Sequence, residues 1–203
     1  MSPPPTIFLV DDDPSVLRAI GRLLRSAGWN VATFDSPQAF LERQHSDAAG
    51  CLVMDMSMPG LNGFELQRAL ARAGNRLPII LLTGHGDIPM SVRAMKSGAV
   101  DFLSKPCPDE ELLAAIRLAV TRDERSRLER AEIQLIAARL ATLTPREHEV
   151  MLGVVAGQLN KQIAAKLGTV EKTIKVHRAR VMEKLGMSSV ADLVRLVERF
   201  GGR

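Results

Sequence analysis

Short apolar runs alternate with helical patterns through the first 120 residues, and this alternation limits the possible fold more than any other feature. The runs are Thr6–Val10, Asn30–Phe34, Cys51–Met54, Ile79–Thr83 and Val100–Ser104. Short runs without polar alternation are typical of strands buried on both faces of a parallel sheet. Because a helical pattern follows each run, the sequence predicts an α/β domain with a doubly wound, five-stranded parallel sheet.

Two of the predicted helices have recognisable start signals. Asp13-Pro14 and Ser36-Pro37 each place a capping side chain before a proline at the first helical position. Further helices are predicted over about 63–73 and 88–97 and from residue 108 onward. Residues 109–139 contain neither glycine nor proline, which predicts that the last helix leaves the first domain and continues as a linker. An ordinary terminal helix followed by a charged coil is the alternative.

Helical patterns replace the β pattern after residue 142. The segment Thr144-Pro145-Arg146-Glu147 has the form of a capping box with proline at the first helical position. Four short helices are predicted, over about 145–156, 160–167, 171–185 and 189–200. They indicate a second, all-α domain.

The two halves of the chain differ in charge. Residues 1–120 hold 11 Lys and Arg against 13 Asp and Glu, whereas residues 121–203 hold 16 against 10. The acidic half is suited to a cation and the basic half to nucleic acid. The chain has only two cysteines and no apolar stretch of the ~20 residues that a membrane span needs. We therefore expect a cytoplasmic protein without a membrane partner.

Polar side chains follow four of the five predicted strands. Asp11 and Asp12 follow the first, Asp55 the third, and Lys105 the fifth, while Thr83 ends the fourth. These groups converge because the carboxyl ends of parallel strands share one edge of a sheet. Clustered carboxylates favour a divalent cation such as Mg²⁺, and a carboxylate beside it can attack phosphorus. A hydroxyl and an ammonium would stabilise the phosphoryl oxygens.

Four segments match the pattern of a known family in order and spacing. They are Leu9-Val10-Asp11-Asp12, Leu52-Val53-Met54-Asp55-Met56-Ser57-Met58-Pro59-Gly60, Leu82-Thr83-Gly84 and Lys105-Pro106. They resemble the signatures of the two-component receiver domain over about residues 5–121. The resemblance implies a flavodoxin-like receiver fold in which Asp55 accepts a phosphoryl group from the histidine of a sensor kinase.

The resemblance also implies a metal site at Asp55. Asp12 would bind Mg²⁺ directly and Asp11 would act through water. The backbone carbonyl of Ser57 would be a further ligand.

Three more roles follow from the same resemblance. Thr83 would bind the phosphoryl group, and Lys105 would pair with it from a cis Lys105–Pro106 peptide. Phe102 would be the aromatic switch residue, although its position alone fits core packing equally well. Residues 88–119 would form the surface through which two copies dimerise.

The basic charge of the second half is concentrated in its middle helices. Residues 161–184 hold seven Lys and Arg against two Glu. On the helix near 171–185, Ile174, Val181 and Leu185 share one face, while Lys175 and Ala179 lie on another. An amphipathic helix that is basic on its open side suits the major groove of DNA.

This region closely resembles the LuxR-type helix-turn-helix of the NarL/FixJ regulators over about residues 142–200. The matching segments are Leu143-Thr144-Pro145-Arg146-Glu147, Asn160-Lys161-Gln162-Ile163-Ala164 and Glu171-Lys172-Thr173-Ile174-Lys175-Val176-His177-Arg178. The resemblance implies base contacts from Lys175, Val176 and Ala179 and phosphate contacts from Lys172, Thr173, Arg180 and Lys184. His177 would do either, or would pack.

One position departs from that family's pattern. Val170 stands where relatives often place a capping serine, and Thr169, one residue earlier, is the candidate to cap the helix instead.

The combined prediction is a phosphorylation-dependent transcriptional regulator rather than an enzyme. Its receiver domain covers 1–121, a helical linker 122–141, and the DNA-binding domain 142–203, with RNA polymerase a further candidate partner. Two alternatives remain. An aspartyl-phosphate hydrolase would need a general acid two residues after Asp55, where Ser57 stands. A DNA-binding scaffold that is never phosphorylated would have no use for the acidic set.

Overall fold

The computed structural model describes residues 4–43, 48–84 and 88–200. The chain divides into two compact units, residues 1–127 and 128–203.

The first unit is a parallel sheet flanked by helices, as predicted. The strand order is β2-β1-β3-β4-β5, and all four neighbouring pairs are parallel. Three strand boundaries were predicted wrongly by one residue: β3 also includes Gly50 and Asp55, and β5 begins at Asp101 rather than Val100. The elements are β1 Thr6–Val10, α1 Pro14–Ser26, β2 Asn30–Phe34, α2 Pro37–Glu42, β3 Gly50–Asp55, α3 Gly63–Arg72, β4 Ile79–Thr83, α4 Ile88–Lys96, β5 Asp101–Ser104 and α5 Asp109–Ala141.

Both faces of the sheet are buried, which explains the continuously apolar strands. Alternate residues of β1, such as Ile7 and Leu9, pack with side chains of α1 and α5, including Leu24 and Ile116. The intervening residues pack with α2 and α3 on the other face. The sheet is therefore covered on both faces, which leaves the ends of the strands as the place for reactive side chains.

Local signals fix the helix starts in the first unit. Asp13 caps α1 by accepting a hydrogen bond from the Ser15 amide at 2.7 Å. Ser36 caps α2 in the same way, with Ala39 as donor at 3.3 Å. The first cap places α1 directly after the acidic end of β1.

Helix α5 runs without interruption for 33 residues, from the first unit into the second. The predicted helix is therefore continuous over residues 109–139, and its role as a linker stays a prediction. Beyond the sheet, the buried Asp123 side chain accepts a hydrogen bond from the Gly50 amide at 3.0 Å. Gly50 has a φ of 138°, and a Cβ there would lie 1.9 Å from the Thr6 carbonyl oxygen. Only glycine fits this start of β3.

The second unit is helical, as predicted. The Thr144 side chain and Glu147 form the predicted capping box at the start of α6. One apolar core joins the helices through buried residues that include Val150, Ile163 and Val181. The helices after α5 are α6 Pro145–Val155, α7 Asn160–Lys166, α8 Glu171–Leu185 and α9 Val190–Phe200.

Helix α8 begins at Glu171 although Val170 cannot cap it. Val170 has the extended backbone of an N-cap, with φ −101° and ψ 153°, but no side chain within the described residues bonds to this cap. The prediction that Thr169 caps this helix in place of Val170 was therefore wrong. The packing of Ile174, which is fully buried, holds the first turn instead.

Among the described residues, no helix is both long enough and apolar enough to cross a membrane.

Candidate functional site

The carboxyl edge of the sheet gathers several predicted site residues. Asp11 follows β1, Asp55 ends β3 and Thr83 ends β4. All three are nearly inaccessible, with exposed fractions of 1%, 6% and 1%. In the β3–β4 register Asp55 lies opposite Leu82, which puts Thr83 one residue beyond it at the same edge. Buried carboxylates at such a place need partners.

Lys105 supplies the partner for both carboxylates. Its Nζ lies 2.6 Å from Asp11 Oδ2 and 2.6 Å from Asp55 Oδ1. The Lys105 amide donates to the Thr83 carbonyl at 2.6 Å, and the Lys105–Pro106 peptide is cis. The chain after β5 is thereby tied to the end of β4, with the ammonium held between the two acids.

Backbone amides bind the other carboxylate oxygens. The Asp13 amide donates to Asp11 Oδ1 at 3.0 Å, and the Ser57 amide donates to Asp55 Oδ2 at 2.6 Å. Burial on its own would lower the pKa of Lys105. Its hydrogen bonds to Asp11 and Asp55 outweigh burial, so this pKa lies above its ordinary value of 10.5. The ammonium is therefore fully charged at neutral pH.

The remaining predicted residues of this site are Asp12, Ser57 and Phe102. Asp12 follows Asp11 and Ser57 lies two residues after Asp55, and both are exposed. Phe102 is half-buried and packs against the core on the α2–α3 side of the sheet. The structure thus brings together Asp11, Asp55 and Lys105, with Thr83 at the adjacent strand end.

The donor chemistry of this site fits a hard divalent cation. Asp11 and Asp55 offer only oxygen, which is the ligand that Mg²⁺ prefers, and both already face one cation. In the described part of the chain, no group of three His, Cys, Asp or Glu side chains is arranged to hold a metal ion. The remaining ligands would be water, a backbone carbonyl or the phosphoryl group, as is usual for Mg²⁺.

The second predicted site lies on helix α8, which we call the recognition helix. Its buried side chains are Ile174, Val181 and Leu185, which face the core. Most of the residues predicted to contact DNA are exposed, namely Lys172, Lys175, Val176, Ala179, Arg180 and Lys184, whereas Thr173 and His177 are half-buried. The helix therefore presents a basic face to solvent.

Two residues of this helix have surroundings that the sequence did not indicate. The Lys184 ammonium lies 2.6 Å from Glu147 Oε2 and 3.0 Å from the Thr142 carbonyl, so it joins α8 to the start of α6. This pairing, together with the Thr144 amide, lowers the pKa of Glu147 from 4.5 to about 2. Nδ1 of His177 is buried and has no hydrogen-bond partner within the described residues. Contact of Lys184 or His177 with DNA stays a prediction.

Two family models match the chain. The response regulator receiver domain matches residues 7–117, and the luxR family of bacterial regulatory proteins matches residues 141–197. The receiver match contains Asp11, Asp55, Thr83 and Lys105. The luxR match contains the recognition helix.

Individual proteins are similar over nearly the whole chain. Nodulation protein W of Bradyrhizobium diazoefficiens is 47% identical over 195 residues, which cover 96% of this chain and 86% of that protein. Transcriptional regulatory protein FixJ of the same species is 45% identical over 195 residues, covering 96% and 95%. Among solved structures, the response regulator StyR is 46% identical with a TM-score of 0.91, over 98% of this chain and 100% of StyR. Full-length FixJ from B. japonicum is 44% identical with a TM-score of 0.60, over 98% of each chain. The chain therefore belongs to the response regulators, phosphorylation-regulated transcription regulators that join a receiver domain to a LuxR-type helix-turn-helix domain.

Proposed function

We propose that Asp55 accepts a phosphoryl group from a phosphohistidine of a sensor kinase, and that the modified protein dimerises and binds promoter DNA. The observation that carries this proposal is the lysine shared by the two buried acids, with Nζ 2.6 Å from Asp55 Oδ1 and from Asp11 Oδ2. These contacts hold the acceptor carboxylate in one orientation with a positive group beside it. Orientation and fixed charge are the main contributions that a protein makes to phosphoryl transfer.

In the transfer, an oxygen of Asp55 attacks phosphorus and the bond from phosphorus to the histidine nitrogen breaks. The nitrogen keeps the electron pair and takes a proton from solvent. Lys105 is close enough to follow the new negative charge to a phosphoryl oxygen. The Ser57 amide, now 2.6 Å from Asp55 Oδ2, and the Thr83 hydroxyl are the proposed donors.

Bound Mg²⁺ would supply neutralising charge for the phosphoryl oxygens during transfer. The residues that would hold it are Asp11, Asp12, Asp55 and the backbone carbonyl of Ser57. Lys105 would then pair with the phosphoryl group rather than with both acids.

The proposed switch links this edge to the surface at 88–119. Thr83 and Phe102 lie on the neighbouring strands β4 and β5, with Leu81 paired to Phe102 in their register. Movement of Thr83 toward a phosphoryl group would let Phe102 turn inward and change this surface. Phosphorylation must favour the dimerising conformation over the resting one for the switch to work.

Dimerisation would place two recognition helices on two half-sites of promoter DNA. Lys175, Val176 and Ala179 are proposed to reach base edges, and Lys172 and Arg180 to bind phosphates. Their exposure on one basic helix supports this assignment. From that position the protein would act on transcription by RNA polymerase.

The direct test is the mass of the intact protein after incubation with acetyl phosphate and MgCl₂. We expect one added phosphoryl group, its loss in Asp55→Asn, and its loss when EDTA removes the metal. Asp35→Asn is the matched control, because Asp35 is an exposed carboxylate just after β2 and outside the site. Full labelling of Asp55→Asn would remove Asp55 from its proposed role.

A further inference from the structure

Helix α5 carries an apolar stripe on its linker segment that the described residues leave uncovered. The stripe consists of Leu128, Ala131, Leu135 and Ala138, and we call it the linker stripe. All four side chains are exposed, Leu128 by 67% and Leu135 by 53%. Their alternating spacing of three and four residues is the a/d pattern of a two-stranded coiled coil.

The linker stripe is distinct from the side of α5 that packs into the second unit. Ile136 is buried and Leu140 packs against the core of α6–α9. At 100° per residue these two side chains lie roughly 140° around the helix from the centre of the stripe. Burial within the chain therefore accounts for Ile136 and Leu140 but not for the stripe.

We propose that the linker stripe is covered by the same stripe of a second copy of this chain, in a parallel two-stranded coiled coil. This inference rests on the proposed function. A seam of two heptads is too short to hold two chains together by itself. Dimerisation at 88–119, a surface that includes the start of α5, would supply the second chain at high local concentration. The coiled coil would then form only in the phosphorylated state.

Charges beside the stripe favour the parallel direction. In a parallel pair, Arg127 at a g position lies beside the partner's Glu132 at an e position, which is an attractive contact. In an antiparallel pair, Arg125 faces the partner's Arg139, and Glu132 faces the partner's Glu132. Both antiparallel contacts join like charges. The sequence thus disfavours that arrangement.

These charges select the direction and are not the source of binding strength. Glu132 already pairs with Arg199 at 2.9 Å, and the Arg139 guanidinium donates to the Leu185 carbonyl at 3.2 Å. Arg125 and Arg127 also have interactions within the chain. Strength would come from the apolar seam, where Leu128 and Leu135 lose exposed surface.

Parallel pairing has a direct consequence for DNA binding. The two C-terminal units would be joined at the same end of the paired helices. Two half-sites on one duplex require this arrangement.

Disulfide trapping tests the inference in the full-length chain. Cys107→Ser removes the accessible thiol, and the fully buried Cys51 is kept. Ala131→Cys places a thiol in the seam, and Ala137→Cys places one at an exposed position on another side of the same helix. Diamide oxidises two thiols to a disulfide and is itself reduced to a hydrazine. With acetyl phosphate and MgCl₂ we expect Ala131→Cys to form dimers about tenfold faster than Ala137→Cys. Without the phosphodonor we expect no difference.

Sedimentation and intact mass of the same samples separate the two hypotheses. A protein that is phosphorylated and dimerises, but whose Ala137→Cys variant crosslinks as fast as Ala131→Cys, overturns the coiled coil and leaves the proposed function standing. A protein that fails to dimerise on phosphorylation overturns both.

A second pair of variants tests the stripe without oxidation. Leu128→Glu with Leu135→Glu should weaken the phosphorylated dimer about tenfold while labelling of Asp55 is unchanged. Two substitutions by glutamate outside the stripe, at Ile133 and Ala137, are the matched control. Equal weakening by both pairs would contradict the inference.

Discussion

Val170 starts the recognition helix without a side chain that can accept a hydrogen bond. Its backbone already has the extended conformation of an N-cap, and its side chain is 65% exposed. Val170→Ser should therefore stabilise the second unit by about 1 kcal/mol, because the hydroxyl can bind an amide in the first turn. Urea unfolding measures this gain. Val170→Ala, which offers no acceptor, should give none; a gain equal to that of serine would show that capping is not the cause.

Glu147 ties the start of α6 to the recognition helix through Lys184. The Lys184 ammonium and the Thr144 amide lower the pKa of Glu147 in the folded protein to about 2, from 4.5. A lowered folded pKa stabilises the fold fully above about pH 4.5, and this contribution disappears as the pH falls to about 2. Glu147→Gln should therefore flatten the pH dependence of stability in that window.

The measurement is the unfolding free energy of each variant between neutral pH and about pH 2. Glu149→Gln is the control, because Glu149 lies on the same helix with its side chain 51% exposed. We expect the Glu149 variant to follow the parent protein. A Glu147→Gln profile as steep as that of the parent would contradict the role of the Lys184 pair.

Positions of single side chains were predictable where the backbone alone determines them. Asp11, Asp55 and Thr83 could be placed together because parallel strands end at one edge. The 2.6 Å contacts of Lys105 with both acids depend on the rotamer of a long side chain, which no spacing reveals. Glu147 was identified as part of a capping box, but its pairing with Lys184, 37 residues later, is a tertiary contact.

Helices and strands were predictable where their periodicity was strong. The absence of glycine and proline predicted the continuity of α5, and the apolar runs predicted all five strands. The start of β3 was placed one residue late because Gly50 lacks a strand-like side chain. Its close approach to Thr6 explains the glycine only once the strands are paired. The burial of Asp123 could not be predicted either, because this residue lies in a densely charged segment of the sequence.

The recognition helix allows two kinds of DNA contact to be distinguished. Lys172 and Lys175 are both exposed lysines on this helix. Lys172→Ala should weaken binding to all sequences alike and reduce the salt slope of log K by about 0.9 for one lost phosphate contact. Lys175→Ala should relax the preference at one base position.

Binding titrations at several salt concentrations, against the operator and its single-base variants, measure both effects. Each lysine variant serves as the control for the other. Unchanged selectivity in Lys175→Ala would contradict the proposed docking of the helix.

The chain as a whole combines an acidic and a basic part with separate tasks. The two compact units meet at residues 127 and 128, and the family matches end at 117 and resume at 141. The proposed linker, 122–141, contains the division between the units and ends at the first residue of the luxR match, and its limits stay a prediction. The sequence could indicate two domains and a helix between them, but not their mutual arrangement.

Phosphorylation should change binding to DNA only through dimerisation. Acetyl phosphate is expected to raise the affinity for a duplex with two half-sites about tenfold or more, because the second contact becomes intramolecular. Affinity for a single half-site should not change. Electrophoretic mobility shifts of both duplexes measure this, with Asp55→Asn as the unresponsive control. An equal gain on the single half-site would point to release of a masked domain instead.

Asp11 and Asp55 share the single ammonium of Lys105 at the buried edge of the sheet, and this leaves their negative charge only partly balanced. Asp11 and Asp55 bring two negative charges and Lys105 one positive charge, so these three groups together keep a surplus of one negative charge. Converting the Asp55 carboxylate into a phosphoryl dianion doubles that surplus. One monovalent ion could not neutralise these three groups, whereas one divalent ion would bring them to electroneutrality. Once Asp55 is phosphorylated, this charge would therefore favour a divalent over a monovalent cation at the edge.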